Sequence, residues 1–512
     1  MSATEYFDVI IIGAGLSGIG AACHLKKDCP QKTFAILEGR DAMGGTWDLF
    51  RYPGIRSDSD MYTLGYNFKP WTNAKGIADG KDIREYIRQA ADENDIDRHI
   101  RYGSRVINSN WDSEAGVWKV TVRDSNSETT KHYVCNFLLC CTGYYNYDHG
   151  YTPDFPGISD FAGQIIHPQK WPEDLDYSNK KVVVIGSGAT AVTVVPAMAE
   201  KAGHVTMLQR SPTYVMTIPQ DDAMVNGLRK LLPEKWVYRI TRTRNISLSL
   251  LMYNYCKTFP NHARKLIYKL TRKQVGADFD MKHFTPSYNP WDERLCAVPD
   301  GDLFKAIREK QVSVVTDHID TFTKDGIKLK SGEKLQADIV ITATGLDVEM
   351  FGKMEVQIDN KPLVAKEKMV YRGFLMEDLP NAGMVFGYTN ASWTLKADLI
   401  TEWMCRLLNH MDKTGNSVVV PRNFDDSVEH RPFVDMESGY IQRALDKAPK
   451  QGSKIPWKLA QNYAVDLLML RFGKVSDPRL RFSKAARPLA DIRQNPATAF
   501  PPPQPESAES AA

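Results

Sequence analysis

This sequence predicts an α/β protein built from two Rossmann-like dinucleotide-binding domains with a helical insertion, and two paired observations carry that prediction. Glycine-rich turns stand at Gly13-Ala14-Gly15-Leu16-Ser17-Gly18 and at Gly186-Ser187-Gly188-Ala189-Thr190-Ala191, 173 residues apart. Each follows an apolar run, Val9-Ile10-Ile11-Ile12 or Val182-Val183-Val184-Ile185, and each opens a stretch compatible with a helix. Strand, glycine turn and helix in that order place a pyrophosphate on the helix N-terminus. Free backbone N–H groups and the helix dipole favour negative charge there. Ser17 is placed to face the first pyrophosphate, and Thr190 and Thr193 to touch the phosphates at the second turn.

The residues downstream of the turns point to two different nucleotides. Glu38 closes the apolar run Phe34-Ala35-Ile36-Leu37, twenty residues past Gly18. A carboxylate there accepts hydrogen bonds from ribose hydroxyls and repels a 2′-phosphate. Arg210, with Ser211 beside it, follows Val205-Thr206-Met207-Leu208, nineteen residues past Ala191. A guanidinium there suits the 2′-phosphate of NADP. One chain holding an unphosphorylated dinucleotide and NADPH has the equipment of an FAD enzyme reduced by NADPH.

With 512 residues, the chain has room for two or three domains. Lys and Arg number 65 against 62 Asp and Glu, a net charge of +3 that implies no nucleic-acid partner. No apolar run approaches the length of a membrane span. The eight cysteines include no CxxC and no zinc-type spacing, which predicts reduced core thiols, no metal and a cytoplasmic protein. The predicted organisation is a first FAD-binding part over 1–150 and an NADP-binding domain over 151–345, with a helical insertion at about 220–300. The chain then returns to the FAD domain over 346–490 and ends in a disordered tail over 491–512. Two buried runs ending in Thr-Gly, at Thr142-Gly143 and Thr344-Gly345, mark the domain crossings. The segment 229–273 holds twelve basic residues against the single Glu234, a local charge of +11 interleaved with apolar side chains. Such a segment is either a solvated helical face or a peripheral membrane-surface contact.

Between the two nucleotide units lies Phe161-Ala162-Gly163-Gln164-Ile165-Ile166-His167-Pro168-Gln169-Lys170-Trp171-Pro172. It matches the FxGxxxHxxxWP signature, and the chain resembles the class B flavoprotein (Baeyer–Villiger) monooxygenases from about residue 6 to about 485. Gly44-Gly45-Thr46-Trp47, residues 51–58 and residues 387–398 extend the resemblance. It implies a C4a-peroxyflavin that converts ketones to esters or lactones with O2, and that also oxidises sulfides and thioamides. A flavin monooxygenase restricted to N- and S-oxidation is the alternative. The peroxide anion needs a fixed positive charge in a dry site. By resemblance that charge is Arg294, held by Asp58; a structural salt bridge and a loop cap are the plain alternatives. The resemblance further places Gly45, Thr46, Trp47, Asp48 and Leu49 along the flavin and Val106 at a backbone contact to adenine. His167 has a pKa suited to a general base, but its place between domains favours a hinge with Phe161, Gly163, Trp171 and Pro172.

Overall fold

The computed structural model describes residues 4–500, apart from 126, 128 and 437. The strand Glu5–Ile12 runs parallel to Phe34–Leu37 on one side and to Thr130–Cys140 on the other. Helix Leu16–Asp28 follows the first glycine turn and packs on helix Trp393–Thr414. Val9, Ile10 and Ile11 are fully buried, as a strand covered on both faces requires. This sheet extends through the antiparallel strands Val117–Asp124 and Ser104–Asp112. It also receives Glu355–Ile358 and Ala382–Met384 from far along the chain.

Five parallel strands form a second sheet, in the order Val312–Thr316, His204–Gln209, Lys181–Ile185, Ile339–Thr342, Gln164–Ile166. Helix Ala189–Ala199 follows the second glycine turn. The insertion is a helical hairpin, Glu234–Thr258 and Pro260–Val275. Ala263, Ile267, Thr271 and Val275 bury one face of its second helix at four-residue spacing. Its first helix is pinned through Tyr238, which donates to the Tyr66 carbonyl (2.8 Å), and Arg242, which donates to the carbonyls of Tyr62 (2.8 Å) and Gly65 (2.7 Å). All eight cysteines are buried free thiols.

The C-terminal expectation needs correction. Residues 491–500 are ordered: Leu489–Gln494 is a helix, and Ile492 and Ala499 are buried beside Ala115, Val117 and Val134. Arg493 pairs with Asp8 on the first strand. A few apolar residues anchor a stretch whose average composition is that of a disordered tail. Residues 501–512 lie outside the described ones.

His24 makes one part of this fold pH-sensitive. It is buried on the first nucleotide helix, 3.3 Å from Asp398 and 3.7 Å from Asp28. Burial alone would lower its pKa, but the two carboxylates outweigh it and raise the value to about 9. A folded pKa above the unfolded value of about 6.5 stabilises the fold fully below that pH, and the contribution fades as pH rises through about 9. Urea unfolding should therefore show a loss of stability across that window that His24→Gln lacks. Equal pH slopes for the two proteins would reject the assignment.

Candidate active site

Both glycine turns open onto one cavity of about 3480 Å³, counting the space that communicates with solvent. The same continuous space is walled by residues of both turns. On one wall lie Gly15, Ser17, Gly45, Thr46 and Trp47; on another lie Gly186, Ser187, Gly188, Ala189, Thr190, Thr193, Arg210 and Ser211. The helices following the turns start at Gly15 and Gly188, and no side chain caps either N-terminus. Their N–H groups are left for anionic ligands.

The glycines divide into two kinds. A Cβ on Gly18 would lie 1.9 Å from the Gly13 carbonyl oxygen, and one on Gly186 (φ +143°) would lie 2.3 Å from that of Ala343. These positions, with Gly13, let the turn close against a strand end. A Cβ on Gly188 would meet nothing within 4 Å. That space is open to a ligand, so the residues present fit a phosphate lying against the backbone.

Glu38 is buried beside the first turn and accepts from the N–H groups of Ala14 (2.7 Å) and Arg40 (2.9 Å). Burial pushes its carboxyl pKa up, against the pull of those two hydrogen bonds. Val106 is buried in the adjoining core with Ile12 and Leu37, which leaves only its backbone for contact. Ser17 Oγ accepts from Trp393 Nε1 at 2.8 Å. Arg210 is exposed and has no hydrogen-bond or ion-pair partner among the described residues.

Seven expected cofactor residues, Gly13, Gly18, Glu38, Val106, Asp48, Leu49 and Ala191, do not line the cavity. Asp48 is buried against Arg40 (2.8 Å), Arg51 (2.6 Å) and Arg84 (3.1 Å), and Leu49 packs on the core of the second domain. One turn of helix, Thr46–Leu49, cannot present four successive side chains to one side, and here Thr46 and Trp47 take the cavity side. Ala191 is fully buried inside its helix.

Arg294 and Asp58 come from segments more than two hundred residues apart and meet at 3.2 Å on the cavity wall. They keep 37% and 33% of their side-chain surface open, enough to face a ligand. The Asp58 carboxylate raises the Arg294 pKa further still, so the guanidinium is cationic at every working pH. Arg294 sits between a turn in which Asn289 and Asp292 bond each other and the strand Cys296–Pro299. The insertion braces that loop: Lys257 pairs with Asp292 at 2.9 Å, and the Tyr253 ring meets Trp291 edge-on at 5.6 Å.

A group of tyrosines surrounds the guanidinium. The Tyr440 hydroxyl lies close enough to Arg294 to feel its charge. The hydroxyls of Tyr144 and Tyr145 are 2.5 Å apart, and the Tyr144 ring stacks on Trp393. All four residues line the cavity. Sequence reasoning missed them. Trp393 lies in a segment noted only for its resemblance, and nothing local marks Tyr440.

The signature residues Phe161, Gly163, His167, Trp171 and Pro172 are not part of the cavity lining. A Cβ on Gly163 would lie 2.3 Å from the Asp338 carbonyl oxygen, and Phe161 meets Phe322 edge-on. His167 Nδ1 accepts from the Gln169 N–H (3.2 Å), so Nε2 carries the proton and donates to the Gly345 carbonyl (3.1 Å). Burial lowers the pKa of His167 and keeps the ring neutral. With Nδ1 already accepting and Nε2 already donating, it is a poor general base. Gly345 (φ +110°) and Gly143 (φ +69°) stand at the two crossings. Asn146 donates to the Asp347 carbonyl (2.8 Å) and Tyr151 to that of Gly345 (3.1 Å), tying the crossings side by side.

The flavin-binding monooxygenase-like family model matches residues 75–414, and an NAD(P)-binding Rossmann-like model matches residues 11–73. The chain is 52% identical over 488 residues to the FAD-containing monooxygenase EthA of Mycobacterium tuberculosis, covering 95% of this chain and 99% of that relative. This chain belongs to the class B flavin monooxygenases. A second relative, the EthA of Mycolicibacterium smegmatis, is 52% identical to the monooxygenase over 483 residues, 94% of this chain and 98% of that one. The fold is shared with oxidized steroid monooxygenase bound to NADP (TM-score 0.74, 20% identity, 94% of this chain and all of that one). It is shared as well with cyclohexanone monooxygenase in its open crystal structure (TM-score 0.72, 19% identity, the same coverage). The monooxygenase uses FAD and NADP as cofactors.

Proposed function

We propose that this monooxygenase uses NADPH and O2 to insert oxygen beside a ketone carbonyl, giving an ester or lactone, and that it oxidises the soft sulfur of sulfides and thioamides in the same cavity. The observation that carries the reading is the Asp58–Arg294 pair facing the space between the two nucleotide walls. Folds shared with steroid and cyclohexanone monooxygenases support it. Bound FAD, reduced by NADPH, supplies the activation of O2.

The chain's own groups do the rest. Uncapped N–H groups at Gly15 and Gly188 hold the pyrophosphates, Glu38 holds the adenosine ribose of FAD, and Arg210 with Ser211 holds the 2′-phosphate of NADPH. Arg294 offers a preorganised cation to negative charge developing on oxygen, and Asp58 orients it. The aromatic wall of Tyr144, Tyr145 and Trp393 excludes water beside that charge. Neutral His167, bonded to the crossing at Gly345, acts as part of a hinge between the domains.

The deciding experiment is NADPH oxidation with product analysis over a panel of ketones and sulfides. Ester formed from a simple ketone such as 2-octanone is the expected result. Sulfoxides without esters would restrict the enzyme to heteroatom oxidation. Arg210→Ala should lower the preference for NADPH over NADH by roughly tenfold or more, because one charge-assisted phosphate contact of about 1.5–3 kcal/mol is lost. An unchanged ratio of kcat/KM for the two nucleotides would remove Arg210 from that role.

A further inference from the structure

We infer that the helical hairpin of the insertion docks this monooxygenase onto an anionic membrane surface. Twelve of the nineteen large apolar side chains exposed among the described residues lie between 231 and 270. Monomeric proteins scatter such residues, and their concentration marks a surface that something else covers. Trp236, Ile240, Leu248, Leu251 and Tyr255 on helix Glu234–Thr258, and Phe259 that caps its end, are each 36–65% exposed. Their spacing of three, four or eight residues keeps them on one outward arc. Helix Pro260–Val275 adds Leu266 and Leu270 to the exposed set along one flank of its buried stripe, with Lys265, Lys269 and Lys273 on the far face.

The charges on the hairpin decide what covers it. Six of the twelve basic residues between 229 and 273 are occupied structurally. Arg229, Arg242, Arg244 and Lys257 pair with carboxylates, Arg272 donates to backbone carbonyls, and Arg264 lies beside the Tyr214 hydroxyl. Lys230, Lys235, Arg239, Lys265, Lys269 and Lys273 have no ion pair among the described residues; Arg239 lies over the Trp236 ring at 5.6 Å. Five of these six stand on the two long helices among the exposed apolar residues, and the only acid of the segment, Glu234, is committed to Arg229. A second copy docked by two-fold symmetry would set these cations against the same cations, and protein interfaces are depleted in lysine. Apolar side chains framed by unpaired lysines fit the interface of a bilayer with acidic headgroups, where the stems of lysine and arginine also lie along apolar surface. Among the described residues no helix is long and apolar enough to cross a membrane, and the proposed contact is one at the surface.

The test is flotation of the FAD-loaded enzyme with phosphatidylglycerol-rich vesicles and with pure phosphatidylcholine vesicles. At about 50 mM salt the enzyme should float with the anionic vesicles and bind the zwitterionic ones at least tenfold more weakly. Raising salt to about 1 M, where the screening length falls to ~3 Å, should release it. The pair Leu248→Glu and Leu251→Glu, and separately the pair Lys265→Glu and Lys269→Glu, should each weaken binding at least tenfold while FAD content and circular dichroism stay unchanged. Absence of binding to anionic vesicles at low salt overturns the inference, as does equal binding to both compositions. Light scattering that shows a dimer, dissolved by Leu248→Glu and Leu251→Glu in a protein that ignores vesicles, overturns it in favour of a second copy. None of these outcomes depends on which substrate the enzyme oxidises.

Discussion

Replacing Arg294 with alanine should leave hydride transfer from NADPH intact and reduce oxygen transfer about a hundredfold or more. The basis is positional. The guanidinium is fixed by Asp58 at 3.2 Å, and it faces the cavity between the two nucleotide walls. A charge held in place before reaction costs no reorganisation when negative charge develops beside it, and removing one such donor costs on the order of 3–4 kcal/mol. Arg294→Lys keeps a cation and gives up the planar fork, so it should recover only part of the loss. Stopped-flow absorbance separates the two half-reactions, because flavin bleaching by NADPH and its re-oxidation by air are distinct phases. Unimpaired substrate oxygenation in the alanine variant would reject the role assigned to Arg294. A variant that no longer bleaches would show that the residue serves cofactor binding instead.

Lys396→Met should destabilise the protein by about 3–5 kcal/mol, the typical cost of stranding a buried charge. Lys396 and Asp466 form a pair 2.8 Å apart, with 6% and 1% of their side chains accessible. Burial draws the Lys396 pKa down and the Asp466 carboxylate opposes it. Tyr388, on the cavity wall, donates to the same carboxylate at 2.7 Å. The double variant Lys396→Met with Asp466→Leu should regain most of the stability, since both charges then leave together. Urea unfolding of the two single variants and the double one completes the cycle. Additive losses would mean that the pair is not coupled.

The parts legible in the sequence are those written in local patterns. Val9-Ile10-Ile11-Ile12 and Val182-Val183-Val184-Ile185 read as buried parallel strands because every residue is apolar, and both appear as strands covered on each face. The turns after them read as nucleotide loops through glycine spacing. The reading fails where neighbours come from distant segments. Tyr440 reaches Arg294 only because the chain returns past residue 345, and no periodicity announces that return. Asp48 sits beside residues that face the cavity, but three arginines draw it to the opposite side. Residues 491–500 read as disordered because the window that runs on to residue 512 is rich in Pro, Ala, Ser and Glu, while Ile492 and Ala499 supply enough apolar contact to hold them.

The brace between the insertion and the loop carrying Arg294 has a practical consequence. Lys257 and Tyr253 project from the same helix whose outer face is greasy and basic, and their partners Asp292 and Trp291 stand two and three positions before Arg294. Trimming the hairpin to obtain a better-behaved reagent would therefore unseat the loop and shift the Arg294 guanidinium. Solubility in this scaffold is better improved by recolouring outward residues one by one than by excision.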